Sequence, residues 1–332
     1  MKARPISRRA APLLIAVLLL GGSQWTYHLF ARQRGVETSA LRSIQIRENV
    51  WVLVGAGANI TVHVGEDGVV LVDSGTAAAA SQVLSAIRAI TPRRIRLIIN
   101  TNGDPDHTGG NEAISKTGTT MMNRDVFAEG DKATVLAHEG ALLRMSAAVG
   151  TEPALPAATW PNVTFTQQVK SMYVNDDAVL VMRQTGAHSD GDSIVEFRRA
   201  DVIVVGDVLD LRTFPVIDPR KGGSIQGEIE ALNRLLLITV PAVPQQSKAG
   251  RTLLVPGHGR VSDYAELIEY RDMVTIVRDV IQDMINRGMT LEQVKAANPT
   301  LGYRGRYGSD SGAWTTDNFV EAIYNGLKRG KS

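Results

Sequence analysis

Apolar residues along this chain fall into short runs with two different periods, and polar loops punctuate them. Val50-Trp51-Val52-Leu53-Val54, Asn59-Ile60-Thr61-Val62-His63-Val64 and Val69-Val70-Leu71-Val72 predict three strands, with a Glu66-Asp67-Gly68 hairpin turn before the third. An alanine-rich stretch over 76–90 predicts a helix, and residues 95–100 predict the next strand. Residues 130–150 read as a helix, with Gly150 as C-cap and Pro153 barring its continuation. The proline- and alanine-rich 153–161 reads as a surface loop. Strands are predicted over 163–169, 178–184, 194–198, 202–205 and 252–255, and helices over 227–237, 262–287 and 314–327. Leu267, Val274, Val277, Ile281 and Ile285 form the apolar stripe of the long helix, which is core packing. Thr290-Leu291-Glu292-Gln293 has capping-box spacing and opens a further helix. Strands then helices occur twice in this order. An α/β protein with two similar halves follows, each a sheet covered by helices on one face.

Composition changes little in that picture. Of 332 residues, 44% are apolar and 21% charged, enough to bury a sizeable core. The net charge of +2 is misleading. Lys2, Arg4, Arg8 and Arg9 precede any acidic residue, and without the first 31 residues acidic groups outnumber basic ones. Nucleic-acid binding therefore has no compositional support. Lys2 to Arg9 followed by the apolar 10–22 has the layout of an export signal. Residues 1–31 are expected to be a signal peptide or an N-terminal anchor, and 40–330 one domain. The protein is then periplasmic or extracellular, with any membrane contact confined to that first segment. Cysteine is absent, so there is no disulfide framework and no thiolate ligand.

The chemistry gathers at strand ends. Asn102, Asp104, Asp106 and His107 share one polar turn directly after the strand 95–99. Gly186-Ala187-His188-Ser189-Asp190-Gly191-Asp192, Val204-Val205-Gly206-Asp207 and Val255-Pro256-Gly257-His258-Gly259 repeat the arrangement of apolar strand and polar donor. Imidazole and carboxylate donors converging from several turns make a metal site. Three aspartates (Asp104, Asp106 and Asp207) brought together repel one another unless a cation neutralises them. Asp73 reads as a stabiliser of the loop beneath the site, and Asp190 and Asp192 as caps of the turn after His188. His63 reads as structural and His138 as a helix-surface residue. The loop 214–224 reads either as a pocket wall or as a plain connection.

In motif order, spacing and its Pro-Gly-His-Gly ending, the chain from about Ile44 onward resembles the metallo-β-lactamase superfamily. That resemblance implies an αββα sandwich with a metal site at one edge, between two sheets. It implies a first metal at Asn102, Asp104, His188 and Asp207, and a second at Asp106, His107, His258 and Asp207, with Asp207 bridging. The family motif is His-x-His-x-Asp-His, and Asn102 and Asp104 stand where its two leading histidines would be. The first site is thus rich in oxygen and is expected either to favour manganese, iron or magnesium over zinc or to stand empty. The second keeps the family pattern. One or two divalent ions are expected, zinc first, with iron or manganese as alternatives. The function implied is an exported hydrolase of a small ester, lactone, lactam, thioester or phosphoester. Metal lowers the pKa of bound water toward about 7, making hydroxide available, with Asp106 or Asp104 orienting it. Two alternatives are a catalytically degenerate member that binds a ligand or partner, and a true β-lactamase.

Overall fold

Strands buried on both faces leave a period-two signature in which alternate residues enter different layers. In β4 (Gly68–Val72), Val70 and Val72 join one core cluster while Val69 and Leu71 join another. In β11 (Val202–Gly206), Val202 and Val204 join the first of these clusters, and Ile203 and Val205 a third. The three clusters are the three seams of a four-layer molecule. One seam lies between two sheets, and each of the others lies between a sheet and the helices outside it.

The computed structural model describes residues 41–120, 132–242 and 251–329. The expected export segment lies outside the described residues. Among the described residues, no helix is long and apolar enough to cross a membrane. The first sheet runs β1 (Arg42–Arg47), β2 (Val50–Ala56), β3 (Ala58–Gly65), β4, β5 (Ile95–Ile99), β6 (Thr134–His138), β7 (Val163–Phe165). Its first four strands pair antiparallel, and β4 to β7 pair parallel. The second sheet has the order β12 (Leu253–Pro256), β11, β10 (Ser193–Phe197), β9 (Asp177–Arg183), β8 (Val169–Val174). All its pairs are antiparallel except β11 with β12. The helices Ile225–Ile238, Tyr264–Asn286 and Thr316–Arg329 cover its outer face through Leu232, Val274, Ile281 and Phe319. The helix Ala80–Ile90, preceded by the 3-10 turn Ala77–Ala79, covers the first sheet. This is the αββα sandwich expected from the resemblance.

Three local expectations need correction. The described part of the predicted 130–150 helix, residues 132–150, is not one helix: Thr134–His138 is a fully buried strand between β5 and β7, and a helix spans only Glu139–Ser146. Burial on both faces overrides the local preference of alanine and leucine for helix. The predicted strand 163–169 is in fact two. Phe165 ends β7 in the core, the exposed Thr166-Gln167-Gln168 turns the chain, and β8 begins the second sheet. β1 adds to the three strands that the apolar pattern predicts. Its RSIQIR sequence is an exposed edge with too few apolar residues to announce itself. The capping box at Thr290 forms as its spacing predicts.

His63 is fully buried, with the Phe197 ring tilted against it at 4.6 Å between centroids and Asp177 Oδ2 3.8 Å from its Nε2. Burial lowers its pKa despite the opposing pull of Asp177. The folded protein keeps His63 neutral in a range where the unfolded chain takes up a proton. Its contribution to stability is complete above about pH 6.5 and declines below it. The urea midpoint should fall between about pH 7 and 5.5, and less so in His63→Gln; equal falls would contradict this account. Phe319 stacks on Phe214 at 4.7 Å and is fully buried. Phe319→Ala should cost about 3–5 kcal/mol in equilibrium urea unfolding.

Candidate metal centre

Parallel strands deliver loops to a common end, and this site is assembled there. Asp73 follows β4, residues 100–108 follow β5, Asp207 follows β11 and His258 follows β12. β9 runs in the same direction as β11, because both are antiparallel to β10, so its loop brings His188 to the same end. Thr101 is the strut between the sheets. Its carbonyl accepts the Ser193 N–H at 2.6 Å, while its N–H and hydroxyl donate to the two oxygens of Asp73 at 2.8 and 2.7 Å.

Asp73 has φ 64, a left-handed conformation uncommon for a residue with a side chain. That turn aims its carboxylate at His107, with Oδ2 2.8 Å from Nδ1. Ser74 holds the same residue from behind, its N–H and hydroxyl both donating to the His107 carbonyl. With Nδ1 engaged, Nε2 faces Asp207 Oδ2 at 3.0 Å. His258 Nε2 lies 3.1 Å from Asp106 Oδ2 and 3.6 Å from Asp207 Oδ1. Ligand atoms of Asp106, His107 and His258 all fall within 4.8 Å of one another. Burial disfavours charge on His107, yet the Asp207 and Asp73 carboxylates outweigh it and hold its pKa well above the ordinary value. Burial likewise opposes charge on Asp207, but His107 and His188 keep it well below the usual carboxylate range.

The buried His107 Nε2 and Asp207 Oδ1 have no hydrogen-bond partner. A cation between two imidazoles and two carboxylates satisfies both, so these residues fit a divalent ion such as zinc, iron or manganese.

The second group is Asp104, His188 and Asp207, again within 4.8 Å. His188 Nδ1 donates to the Val216 carbonyl at 2.7 Å, turning Nε2 toward Asp104 Oδ2 at 3.0 Å. Burial opposes protonation of His188, but Asp104 and the surrounding carboxylates push its pKa up to about 10. Asp104 Oδ1 meets Lys221 Nζ at 2.9 Å. The amide of Asn102 points its NH2 at Asp207 Oδ2, 3.0 Å away.

The motif glycine before His258 has a steric reason. A Cβ on Gly257 would lie 2.4 Å from Asp207 Oδ1 and 2.8 Å from His107 Cε1. Asn59, from the first sheet, pins the same turn by donating to the Pro256 and Gly259 carbonyls at 2.9 Å.

All six charged or imidazole candidates (Asp104, Asp106, His107, His188, Asp207 and His258) lie together, with Asn102 beside them. Asp192 caps its turn by accepting from the Ser189 N–H and hydroxyl, and burial raises its pKa to about 6. Asp190 instead pairs with Arg144. His138 is not on a helix surface. It ends β6, buried, and its Nδ1 accepts the Gly140 N–H at the start of the next helix. The loop 214–224 is more than a connection, since it supplies the Val216 carbonyl and Lys221. No motif marks those two, nor Thr101, nor Glu228, a fully buried carboxyl behind the site that has no hydrogen-bond partner and whose pKa burial raises.

The described fold agrees with comparisons to known proteins. The chain is similar at 17% identity and TM-score 0.64 to a stereoselective inverting sec-alkylsulfatase, Pisa1, from Pseudomonas sp., over 86% of this chain and 50% of that one. The chain thus spans about half the length of that enzyme. A metallo-beta-lactamase from Pontibacter korlensis matches at 18% identity and TM-score 0.54, over 71% of this chain and 99% of that one. DIM-1 metallo-beta-lactamase matches at 14% identity and TM-score 0.52, over 71% and 97%. Comparison with curated protein sequences found no match. The family model described as metallo-beta-lactamase superfamily matches residues 53–258, which runs from β2 to the last histidine of the cluster. The chain belongs to the metallo-β-lactamase superfamily, whose hydrolase-type fold typically binds divalent metal.

Proposed function

We propose that this protein is a metal-dependent hydrolase of a small ester, lactone, lactam, thioester or phosphoester. One observation carries the reading. His107 is fixed from behind by Asp73, and its free Nε2 is buried 3.0 Å from Asp207 without a hydrogen-bond partner. An imidazole oriented by a carboxylate on its other nitrogen is how proteins prepare a metal ligand. Asp106, His107, Asp207 and His258 would hold the ion. When bound, it supplies Lewis-acid chemistry and lowers the pKa of water toward about 7.

The chain's own groups do the rest. Asp106 is the more open of the two loop aspartates, with 37% of its side chain exposed against 21% for Asp104. It has the access to orient an attacking water and accept its proton. Asp104 is committed to His188 and Lys221 and serves to hold them. Export is part of the proposal, supported by the basic 2–9 and apolar 10–22 segments. Neither binding of a partner nor β-lactam specificity has an observation of its own here, since fold does not fix substrate.

Asp106→Ala and His258→Ala should each abolish hydrolysis of a panel of small activated esters while the fold, read by circular dichroism, stays intact. Full activity in both variants would contradict the mechanism. Asp73→Asn should keep the fold and weaken zinc binding by about 10–100-fold in a competition titration.

A further inference from the structure

Asp104, His188 and Asp207 have the residue types of a second metal site, but their atoms are already engaged. Asp104 Oδ2 faces His188 Nε2 at 3.0 Å, and its other oxygen faces Lys221 Nζ at 2.9 Å. Asn102 is committed as well. Its Oδ1 accepts the Asp104 N–H at 2.9 Å, and its Nδ2 donates to Asp207 Oδ2 at 3.0 Å. The first contact demands an acceptor and the second a donor, so the amide has one orientation. That orientation presents hydrogens, not a lone pair, to the place where the family puts its first metal.

Lys221 is held there by its backbone. Its carbonyl accepts the Asp190 N–H at 2.9 Å, and its N–H donates to Asp218 O at 3.0 Å. Gly222 follows with φ 85, and a Cβ on Gly223 would come 2.2 Å from the His188 carbonyl oxygen. The two glycines let this loop press against the His188 turn. The same loop orients His188 through the Val216 carbonyl. Lys221 is only 14% exposed, and besides Asp104 its acidic neighbours are Glu152, with Oε2 3.6 Å away, and Asp218. An ammonium has donors only, so it can neutralise Asp104 but cannot coordinate, and it repels a cation brought to the same carboxylate.

We propose that the Lys221 ammonium stands in place of the family's first metal ion, leaving one ion per chain at Asp106, His107, Asp207 and His258. This rests on the metal-dependent reading above only in requiring that single ion. With asparagine in place of a leading histidine the position lacks an imidazole donor, and the lysine supplies positive charge there.

The test counts bound zinc in the full-length chain, reloaded with excess zinc and freed of unbound metal, by plasma mass spectrometry. Wild type and Asn102→His should both hold one equivalent, because the lysine still blocks the position. Asn102→His combined with Lys221→Met should hold two, and with Lys221→Arg one. Two equivalents in wild type or in Asn102→His alone would overturn the proposal, as would a folded Asn102→His/Lys221→Met variant that stays at one. The wild-type count decides even if the double variant does not fold. No zinc in wild type would instead sink the hydrolase reading itself.

Discussion

Carboxylates packed against one another at the end of two sheets cannot stay ionised without positive charge between them. Asp73, Asp104, Asp106 and Asp207 are brought to one place by three strand ends, those of β4, β5 and β11, and the rest of the site is arranged around that constraint. Asp73 is balanced through His107, and Asp104 through His188 and Lys221. Asp207 is touched by His107, His188 and His258 but keeps one oxygen without a hydrogen bond. The unmet demand lies there, on the side of His107 and His258.

The sheets exist, from this viewpoint, to make that crowding affordable. The inter-sheet core, with Val70, Val72, Val181, Val204 and Val255, fixes the two sheets against each other by ordinary burial. Thr101 and Asn59 then stitch the loop ends across the seam with hydrogen bonds. Backbone strain sits where a donor needs it, at the left-handed Asp73, and Gly257 lets its turn approach Asp207 because it carries no Cβ. The two halves of the centre differ in kind. The half with His107 leaves a buried imidazole nitrogen and a carboxylate oxygen without hydrogen bonds, whereas the half with Asp104 is closed by internal hydrogen bonds and an ion pair.

Much of this was legible in the chain. Donors such as Asp106, His107, Asp207 and His258 each follow an apolar run, and strand-end placement is a local property that periodicity exposes. The layers were legible for the same reason, since strands buried on both faces write long apolar runs. β6 was hidden because its alanine- and leucine-bearing run fits a helix as well as a strand, and only its neighbours decide. The break between β7 and β8 was hidden because a strand changing sheets keeps the same polarity pattern on both sides of the turn. Lys221 could not be read because its role depends on a contact with Asp104 across 117 positions, made through a loop with no motif. The sequence does show the two departures from the family motif, at Asn102 and Asp104, but not the lysine that lies beside them.

The account's central claim is that the unmet charge sits on the His107 side. Anomalous scattering at the zinc edge from crystals of the zinc-loaded protein tests this most directly. One peak bounded by Asp106, His107, Asp207 and His258, with ligand distances of about 2.0–2.2 Å, is the predicted result. A peak between Asp104 and His188, with Lys221 displaced, or no ordered peak at all, would contradict it.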